Sequence, residues 1–172
     1  MVVPVVFWLL VSGRMPAAFI LFVGAGLSDA VDGYLAKRYG WQTVLGAYLD
    51  PLADKMLIVS VFIALGVLGE LPSWLVIAVV SRDILIVVAV VLSWLLTHPV
   101  RIKPLAVSKA NTVAQILLAG VVLADGGFNL GLDVLRIVLV WLTAALTFAS
   151  LAAYLRAWLL HMAGQEIDGP SI

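Results

Sequence analysis

Long apolar runs and short polar connections alternate along the whole chain. The apolar runs end at Gly, Pro or charged residues, and they cover approximately residues 2–11, 16–36, 43–68, 72–96, 107–124 and 132–160. At a helical rise of about 1.5 Å per residue, the last five are long enough to cross the roughly 30 Å hydrocarbon core of a membrane. The pattern therefore predicts membrane-spanning α-helices joined by short loops.

The first apolar run is too short to cross a membrane. Its ten residues, 2–11, would form a helix of only about 15 Å. A secretory signal would begin with a charged segment and end at a small-residue cleavage site, and neither flanks this run. We therefore expect a first helix that has lost its beginning, with the true start of the protein upstream of Met1.

The composition narrows the class of protein further. Of the 172 residues, 64% are hydrophobic and 12% are charged, whereas a soluble domain is nearer half apolar and a quarter charged. The net charge of zero excludes a basic nucleic-acid binder, and the absence of Cys excludes disulfides, thiolate nucleophiles and Cys-bound metals. The predicted fold is a single all-α integral membrane domain over residues 1–172, a bundle of six transmembrane helices of which the first is truncated.

The distribution of basic residues predicts the orientation in the membrane. The connections after the second and fourth apolar runs carry five Lys or Arg and no acid, whereas the connections on the other side carry two basic and three acidic residues. Lys and Arg accumulate in cytoplasmic loops. We therefore expect loops 37–43 and 97–109, together with the C-terminus, to lie on the cytoplasmic side.

Four carboxylates stand out because they lie inside or at the ends of apolar runs: Asp29, Asp32, Asp50 and Asp54. A carboxylate at bilayer depth costs on the order of 2.5 kcal/mol or more, so each one requires an explanation. The spacings are i, i+3 and i, i+4, which place each pair on one helix face. A short loop joins the two helices, so both pairs are expected to converge near the cytoplasmic side.

Converging carboxylates repel one another unless cations neutralise them. Two hard divalent cations would do so, and ligands that are all oxygen suit Mg²⁺ or Mn²⁺. The alternative is that a single Asp pairs with Lys37 or Lys55 and only holds helices together. Small residues accompany the acids at Gly33, Ala36 and Gly46, where they would admit either a flat polar ligand or a neighbouring helix.

Residues 29–54 together resemble the signature of the CDP-alcohol phosphatidyltransferases, D-x2-D-G-x2-A-R-x8-G-x3-D-x3-D. Seven of its eight fixed residues are matched over 26 positions. The exception is Lys37, where the family has Arg, so a positive charge is kept but the bidentate contact of a guanidinium with a phosphate is lost.

The resemblance implies a homodimer with two divalent cations and a CDP-linked lipid substrate that enters from the cytoplasmic leaflet. It implies that Asp29, Asp32 and Asp50 ligate metal, and that Asp54 completes the cluster and acts as the general base. It also implies a cytidine nucleotide site lined by three small residues, with a Lys that faces the phosphates: Gly33, Ala36, Gly46 and Lys37.

The second half of the chain carries further charges, two of them at membrane depth and three around the next predicted cytoplasmic loop. Arg82 and Asp83 fall within the fourth apolar run, where Arg82 either reaches a lipid phosphate or is neutralised by its neighbour. Arg101, Lys103 and Lys109 surround the next loop, where they either anchor the chain to headgroups or bind an anionic acceptor lipid.

The segments around these charges resemble the CMP-forming cardiolipin synthases of the same family. They include the run Lys103-Pro104 to Gln115, with Ser108, Asn111 and Thr112 between. The resemblance implies attack of phosphatidylglycerol on CDP-diacylglycerol with release of CMP. Glycerol 3-phosphate as acceptor, in a phosphatidylglycerophosphate synthase, is the alternative, and a divalent-cation transporter is a more distant one. The Lys-poor composition, rich in Ala, Val, Leu and Gly, indicates a bacterial inner membrane, with the mitochondrial inner membrane as the alternative.

Overall fold

The computed structural model describes residues 2–39, 44–95 and 106–162, and these ranges form six α-helices and no strand. The helices are α1 (Val2–Val11), α2 (Met15–Tyr39), α3 (Val44–Val67), α4 (Ser73–Leu95), α5 (Ala106–Phe128) and α6 (Asp133–Met162). The all-helical prediction is thus confirmed for the described residues. Predicted and observed boundaries agree closely, except that α5 continues past Ala124 to Phe128.

Glycines in the left-handed region end two of the helices. Gly13 follows α1 with φ at 73°, and Gly69 follows α3 with φ at 77°. In each turn the amide of the residue after the glycine donates a hydrogen bond to a carbonyl in the last turn of the helix. The Arg14 amide donates to the Leu9 carbonyl of α1, and the Glu70 amide donates to the Leu65 carbonyl of α3, both at 2.9 Å. Glycine adopts this conformation without the steric penalty of a side chain. The two reversals return the chain directly into α2 and α4.

The helices surround a core that lies between α3 and α5. α3 contacts α1, α4 and α5, while α5 also contacts α2 and α6, and α4 contacts α6. Apolar side chains fill the space between them because their burial removes apolar surface from solvent contact. The fully buried members include Leu10, Phe62, Leu65, Leu75, Leu118 and Leu123.

α5 continues beyond its predicted end and stops before Asn129, which follows the helix with φ at 52°, and its last turn approaches α2 closely. Gly126 and Gly127 lie in the last turn of α5, beside Met15 and Pro16 at the start of α2. A Cβ on Gly127 would lie 3.1 Å from the Pro16 backbone nitrogen and Cα. These glycines therefore continue the helix and permit a close helix–helix contact.

The outer surface of the helical bundle is largely apolar. Large hydrophobic side chains are exposed on every helix, among them Trp8, Ile20, Ile77, Leu117 and Trp141. Exposed apolar area on this scale marks a surface that contacts lipid or protein. Within the described part of the chain, two helices are long and apolar enough to cross a membrane, Ala106–Phe128 and Asp133–Arg156. That six helices span the membrane stays a prediction.

Candidate active site

The four aspartates of the sequence pattern lie on consecutive helices. Asp29 and Asp32 are in the C-terminal half of α2, and Asp50 and Asp54 are in the N-terminal half of α3. Because α2 ends at Tyr39 and α3 begins at Val44, the connection cannot separate the two helix ends by more than about 17 Å. The chain thus brings the acid-bearing ends of both helices to the same end of the bundle.

The structure describes only part of this acid-bearing region in detail. The Asp32 side chain is exposed, whereas the side chains of the other three aspartates lie outside the described set. Among the side chains that are described, no group of three or more His, Cys, Asp or Glu can hold a metal ion. The predicted cation ligands have the hard oxygen chemistry that Mg²⁺ and Mn²⁺ prefer, and their role stays a prediction.

Of the other predicted site residues, those on described helices lie toward the same end of the bundle. The small residues and the Lys of the predicted nucleotide site lie in α2 and α3, with side chains outside the described set: Gly33, Ala36, Lys37 and Gly46. Lys109 is exposed in the first turn of α5. Arg101 and Lys103 lie outside the described residues, and all of these roles stay predictions.

A cluster of charges lies directly beside the acid-bearing part of α3. Lys55, which follows Asp54 in the chain, donates from Nζ to Asp83 Oδ1 at 3.1 Å. The same carboxylate oxygen accepts from Arg82 Nη1 at 2.5 Å. The Lys55 side chain is 23% exposed, whereas Arg82 and Asp83 are 1% and 2% exposed. One carboxylate oxygen therefore holds two cations, of which one is fully buried.

Arg82 extends this cluster to two further helices. Its Nη2 donates to Ser108 Oγ of α5 at 2.6 Å and to Ser150 Oγ of α6 at 2.7 Å. Its Nε donates to the same Ser150 hydroxyl at 3.2 Å. The ion pair with Asp83 that the sequence left as an alternative is thus formed, while phosphate binding by Arg82 stays a prediction. We call Lys55, Arg82, Asp83, Ser108 and Ser150 the Asp83 network.

Polar side chains continue from the network along the contact between α5 and α6. One turn further into the bundle, Thr147 Oγ1 donates to Asn111 Oδ1 at 3.0 Å, and both residues are buried. Another turn along, Gln115 and Thr143 are also buried. Each step moves about one turn forward in α5 and one turn back in α6, as expected for antiparallel helices. The α5–α6 contact is therefore polar at several successive levels.

Four polar atoms in this interior have no hydrogen-bond partner among the described residues: Asp83 Oδ2, Asn111 Nδ2, Gln115 Nε2 and Thr143 Oγ1. A buried polar atom without a partner costs about 1–3 kcal/mol. The second carboxylate oxygen of Asp83 is one of them, so the two cations are held through Oδ1 alone. The interior between α4, α5 and α6 is therefore polar, and several of its polar atoms are unpartnered within the described ranges.

A groove of about 220 Å³ runs between α3 and α4 and begins at the Asp83 network. Lys55 and Asp83 line its polar end, and its remaining walls are mostly apolar: Met56, Val59, Ser60, Ile84, Val87 and Val88. Met56 and Ile84 are exposed by 57% and 52%. The groove thus opens at the side of the bundle, where the surface is apolar.

The opposite end of the bundle carries a separate ion pair. Arg136 Nη1 of α6 lies 3.1 Å from Glu70 Oε2 in the α3–α4 turn, and its Nη2 donates to the Glu70 carbonyl. Nearby, Asp125 Oδ1 accepts a hydrogen bond from the Leu132 amide at 3.0 Å. Glu70 and Arg136 thus pair with each other, and Asp125 accepts from a backbone amide at the end of a helix.

Sequence reasoning missed the contribution of α6 to the polar interior, since the last apolar run has no recognisable motif. Thr143, Thr147 and Ser150 are spaced by four and three residues, which places them on one helix face. This polar stripe within an otherwise apolar helix is the signal that would have revealed them.

Known proteins resemble this chain over most of its length. The family model described as CDP-alcohol phosphatidyltransferase matches residues 1–149. The chain is similar to the chloroplastic CDP-diacylglycerol–glycerol-3-phosphate 3-phosphatidyltransferase 1 of Oryza sativa subsp. japonica, with 38% identity over 88% of this chain and 51% of that protein. It is also similar to the human cardiolipin synthase (CMP-forming), with 32% identity over 87% of this chain and 54% of that protein.

A bacterial relative is covered more completely. The CDP-diacylglycerol–glycerol-3-phosphate 3-phosphatidyltransferase of Haemophilus influenzae is 32% identical over 88% of this chain and 82% of its own length. The chain spans about half the length of the rice and human relatives. Relatives with two different printed functions thus match to a similar degree.

Proposed function

Because this chain belongs to the CDP-alcohol phosphatidyltransferase family, we propose that it is a membrane enzyme that transfers the phosphatidyl group of CDP-diacylglycerol to an alcohol and releases CMP. The observation that carries the proposal is the family match over residues 1–149, which includes all four aspartates of the acid pattern. The rice, human and Haemophilus relatives are all named for transfers of this kind or for their products.

In this proposal Asp54 is the general base. It takes the proton of the acceptor hydroxyl while the hydroxyl oxygen attacks the β-phosphorus of CDP-diacylglycerol, and the bond from that phosphorus to CMP breaks. Asp29, Asp32 and Asp50, together with Asp54, would hold two divalent cations, Mg²⁺ or Mn²⁺. When bound, these cations would neutralise the negative charge of the pyrophosphate and act as Lewis acids.

The nucleotide is proposed to lie against α2 and α3. Gly33, Ala36 and Gly46 have small side chains, so the cytidine and its phosphates can approach both helices closely. Lys37 provides a positive charge beside them. An ammonium group binds phosphate as a point charge, so this Lys keeps the attraction of the Arg that it replaces in the family pattern.

We propose phosphatidylglycerol as the acceptor, which makes the enzyme a cardiolipin synthase. A second lipid must reach the site from the side, and the groove between α3 and α4 supports such a route because it joins an apolar surface to Lys55, next to Asp54. Arg101, Lys103 and Lys109 are proposed to attract the anionic headgroup. Arg82 is proposed to bind its phosphate by exchanging the contacts with Ser108 and Ser150. The rice and Haemophilus relatives favour glycerol 3-phosphate as the second candidate acceptor.

A product assay decides between these acceptors. Purified protein in liposomes is given CDP-diacylglycerol with Mg²⁺ or Mn²⁺, and either phosphatidylglycerol or glycerol 3-phosphate. We expect release of CMP and formation of cardiolipin with phosphatidylglycerol. Release only with glycerol 3-phosphate would contradict the cardiolipin synthase proposal, and no release with either would contradict both proposed acceptors.

Substitutions test the proposed roles of the acids. Asp54→Asn is expected to abolish turnover and leave binding of the CDP-lipid largely intact, because a carboxamide cannot accept the proton. Asp29→Asn and Asp50→Asn are expected to raise the divalent-cation concentration needed for activity. Asp125→Asn, on the opposite end of the bundle, is the matched control. Unchanged cation dependence in Asp29→Asn and Asp50→Asn would contradict the role of these two acids as ligands.

The wider assembly is also a proposal. We propose that residues 1–172 form one membrane domain, a bundle of six helices of which α2–α6 span the membrane, that it works as a homodimer, and that it lies in a bacterial inner membrane, with the mitochondrial inner membrane as the alternative. The exposed apolar side chains on all six helices support the membrane assignment. Chemical cross-linking in native membranes tests the dimer, and a purely monomeric pattern would contradict it.

A further inference from the structure

The Asp83 network lies next to the part of α3 that carries the acids. Among the α3 side chains that the structure describes, from Lys55 onward, Ile58 is the first buried apolar one, and Val61, Phe62 and Leu65 continue the core from there. Lys55 lies about one turn before Ile58 and immediately after Asp54. The contact between Lys55 and Asp83 therefore joins α3 to α4 next to the proposed base.

The carboxylate that makes this contact is itself held rigidly. Asp83 is 2% exposed, and its Oδ1 also accepts from Arg82. Arg82 in turn donates to hydroxyls of α5 and α6. The Asp83 carboxylate thus connects Lys55 of α3 to three other helices, α4, α5 and α6.

Stability alone gives a weak reason for such a cluster. Removing charges from water is costly, and buried ion pairs can often be replaced by apolar side chains without loss of stability. Here the cost is increased by Asp83 Oδ2, which has no hydrogen-bond partner in the described part of the chain. A role in fixing geometry provides a better reason, because the interaction of a buried carboxylate with two cations is strong and directional in an interior of low dielectric constant.

We propose that Asp83 is a positioning residue for phosphatidyl transfer, which holds Lys55 and thereby the Asp54 turn of α3 at a fixed place against α4, α5 and α6. The inference rests on the proposed function. It assigns Asp83 no contact with substrate, since its effect passes through Lys55 and the α3 backbone. The loss expected from a misplaced base is large, because a shift of about 1 Å can cost on the order of 100-fold in rate.

Kinetics of paired variants test the proposal. Lys55→Met and Asp83→Asn are each expected to lower kcat by about 10- to 100-fold and to change the KM for CDP-diacylglycerol by less than about twofold. Lys55→Arg and Asp83→Glu keep the charges and are expected to restore most of kcat. The double variant Lys55→Met/Asp83→Asn is expected to lose no more than the worse single variant, because both changes break the same contact.

Two features keep the test decisive. Lys55→Met alters the more exposed partner and leaves the pair of Arg82 with Asp83 intact, so it carries the test if Asp83→Asn does not fold. Asp125→Asn makes the same chemical change at the far end of the bundle and is expected to leave kcat unchanged. A raised KM with normal kcat, multiplicative losses in the double variant, or no rescue by Lys55→Arg would overturn the proposal.

Hydrogen exchange measured by mass spectrometry gives a readout that does not depend on activity. Peptides covering residues 46–58 are expected to exchange faster in Lys55→Met and Asp83→Asn than in the wild type and in Asp125→Asn. Unchanged exchange in both variants would overturn the positioning role whether or not the wild type is active. A wild type that releases no CMP, together with faster exchange in the variants, would instead overturn the proposed function.

Discussion

Two glycines of α5 allow a test of the α2–α5 contact, because adding a methyl group to each is expected to have opposite effects. A Cβ on Gly120 would meet no atom within 4 Å. A Cβ on Gly127 would lie 3.1 Å from the nitrogen and the Cα of Pro16. These are backbone atoms, so they cannot turn aside as a flexible side chain would.

The expected magnitudes follow from two competing terms. Overpacking of a tight contact costs typically about 1–3 kcal/mol, whereas replacing Gly by Ala in a helix interior gains about 0.5–1 kcal/mol. Gly127 lies one residue before the end of α5, so its gain is taken as the lower value of about 0.5 kcal/mol. Gly127→Ala is therefore expected to destabilise the protein by about 0.5–2.5 kcal/mol, and Gly120→Ala to stabilise it by about 0.5–1 kcal/mol.

Equilibrium unfolding in mixed micelles measures both values. The protein in mild detergent is titrated with sodium dodecyl sulfate, and the fluorescence of its six Trp residues reports unfolding. Gly120→Ala serves as the matched control because it makes the same change in the same helix. The reasoning would be refuted if Gly127→Ala were as stable as the wild type, or if both variants shifted the unfolding midpoint in the same direction.

Two other stability predictions use the same titration. Thr147→Val removes the hydrogen bond to Asn111 and is expected to destabilise the protein by about 1–3 kcal/mol. Thr143→Val removes a hydroxyl that has no partner among the described residues, so it should be neutral or stabilising. Equal losses of stability in the two variants would contradict this interpretation. Glu70→Gln weakens a partly exposed pair with Arg136 and should cost less than about 1 kcal/mol, so a loss above about 2 kcal/mol would show that the pair matters more than its exposure implies.

The helices were predictable from the sequence because the apolar runs are long and are interrupted by few charges. The exception at the end of α5 has a specific cause. Gly126 and Gly127 suggest the end of a helix when only local propensity is considered, yet both lie within α5, where they allow the close contact with α2. The local signal for the end is Asn129, which follows the helix with φ at 52° and whose amide donates to the Asp125 carbonyl at 2.8 Å.

The sequence predicted the acid pattern of the candidate site but not the contacts of its buried Arg82. The acid pattern from Asp29 to Asp54 is recognisable because its chemistry depends on fixed spacings along two consecutive helices. The sequence did not determine the partners of Arg82, because Arg82 and Asp83 are adjacent on a helix and adjacent side chains point in different directions. Ser150 lies 68 residues further along the chain, and a contact over that separation depends on how α4 packs against α6.

The sequence by itself determined the helical class, the approximate helix boundaries and the family, because these depend on the length of the apolar runs and on local spacing. Only the tertiary structure decided which buried charges pair and which helices meet at Asp83. It also decided that a groove between α3 and α4 opens beside Lys55. Such features arise from contacts between distant segments, where burial makes each polar group depend on partners that its neighbours in the chain do not provide.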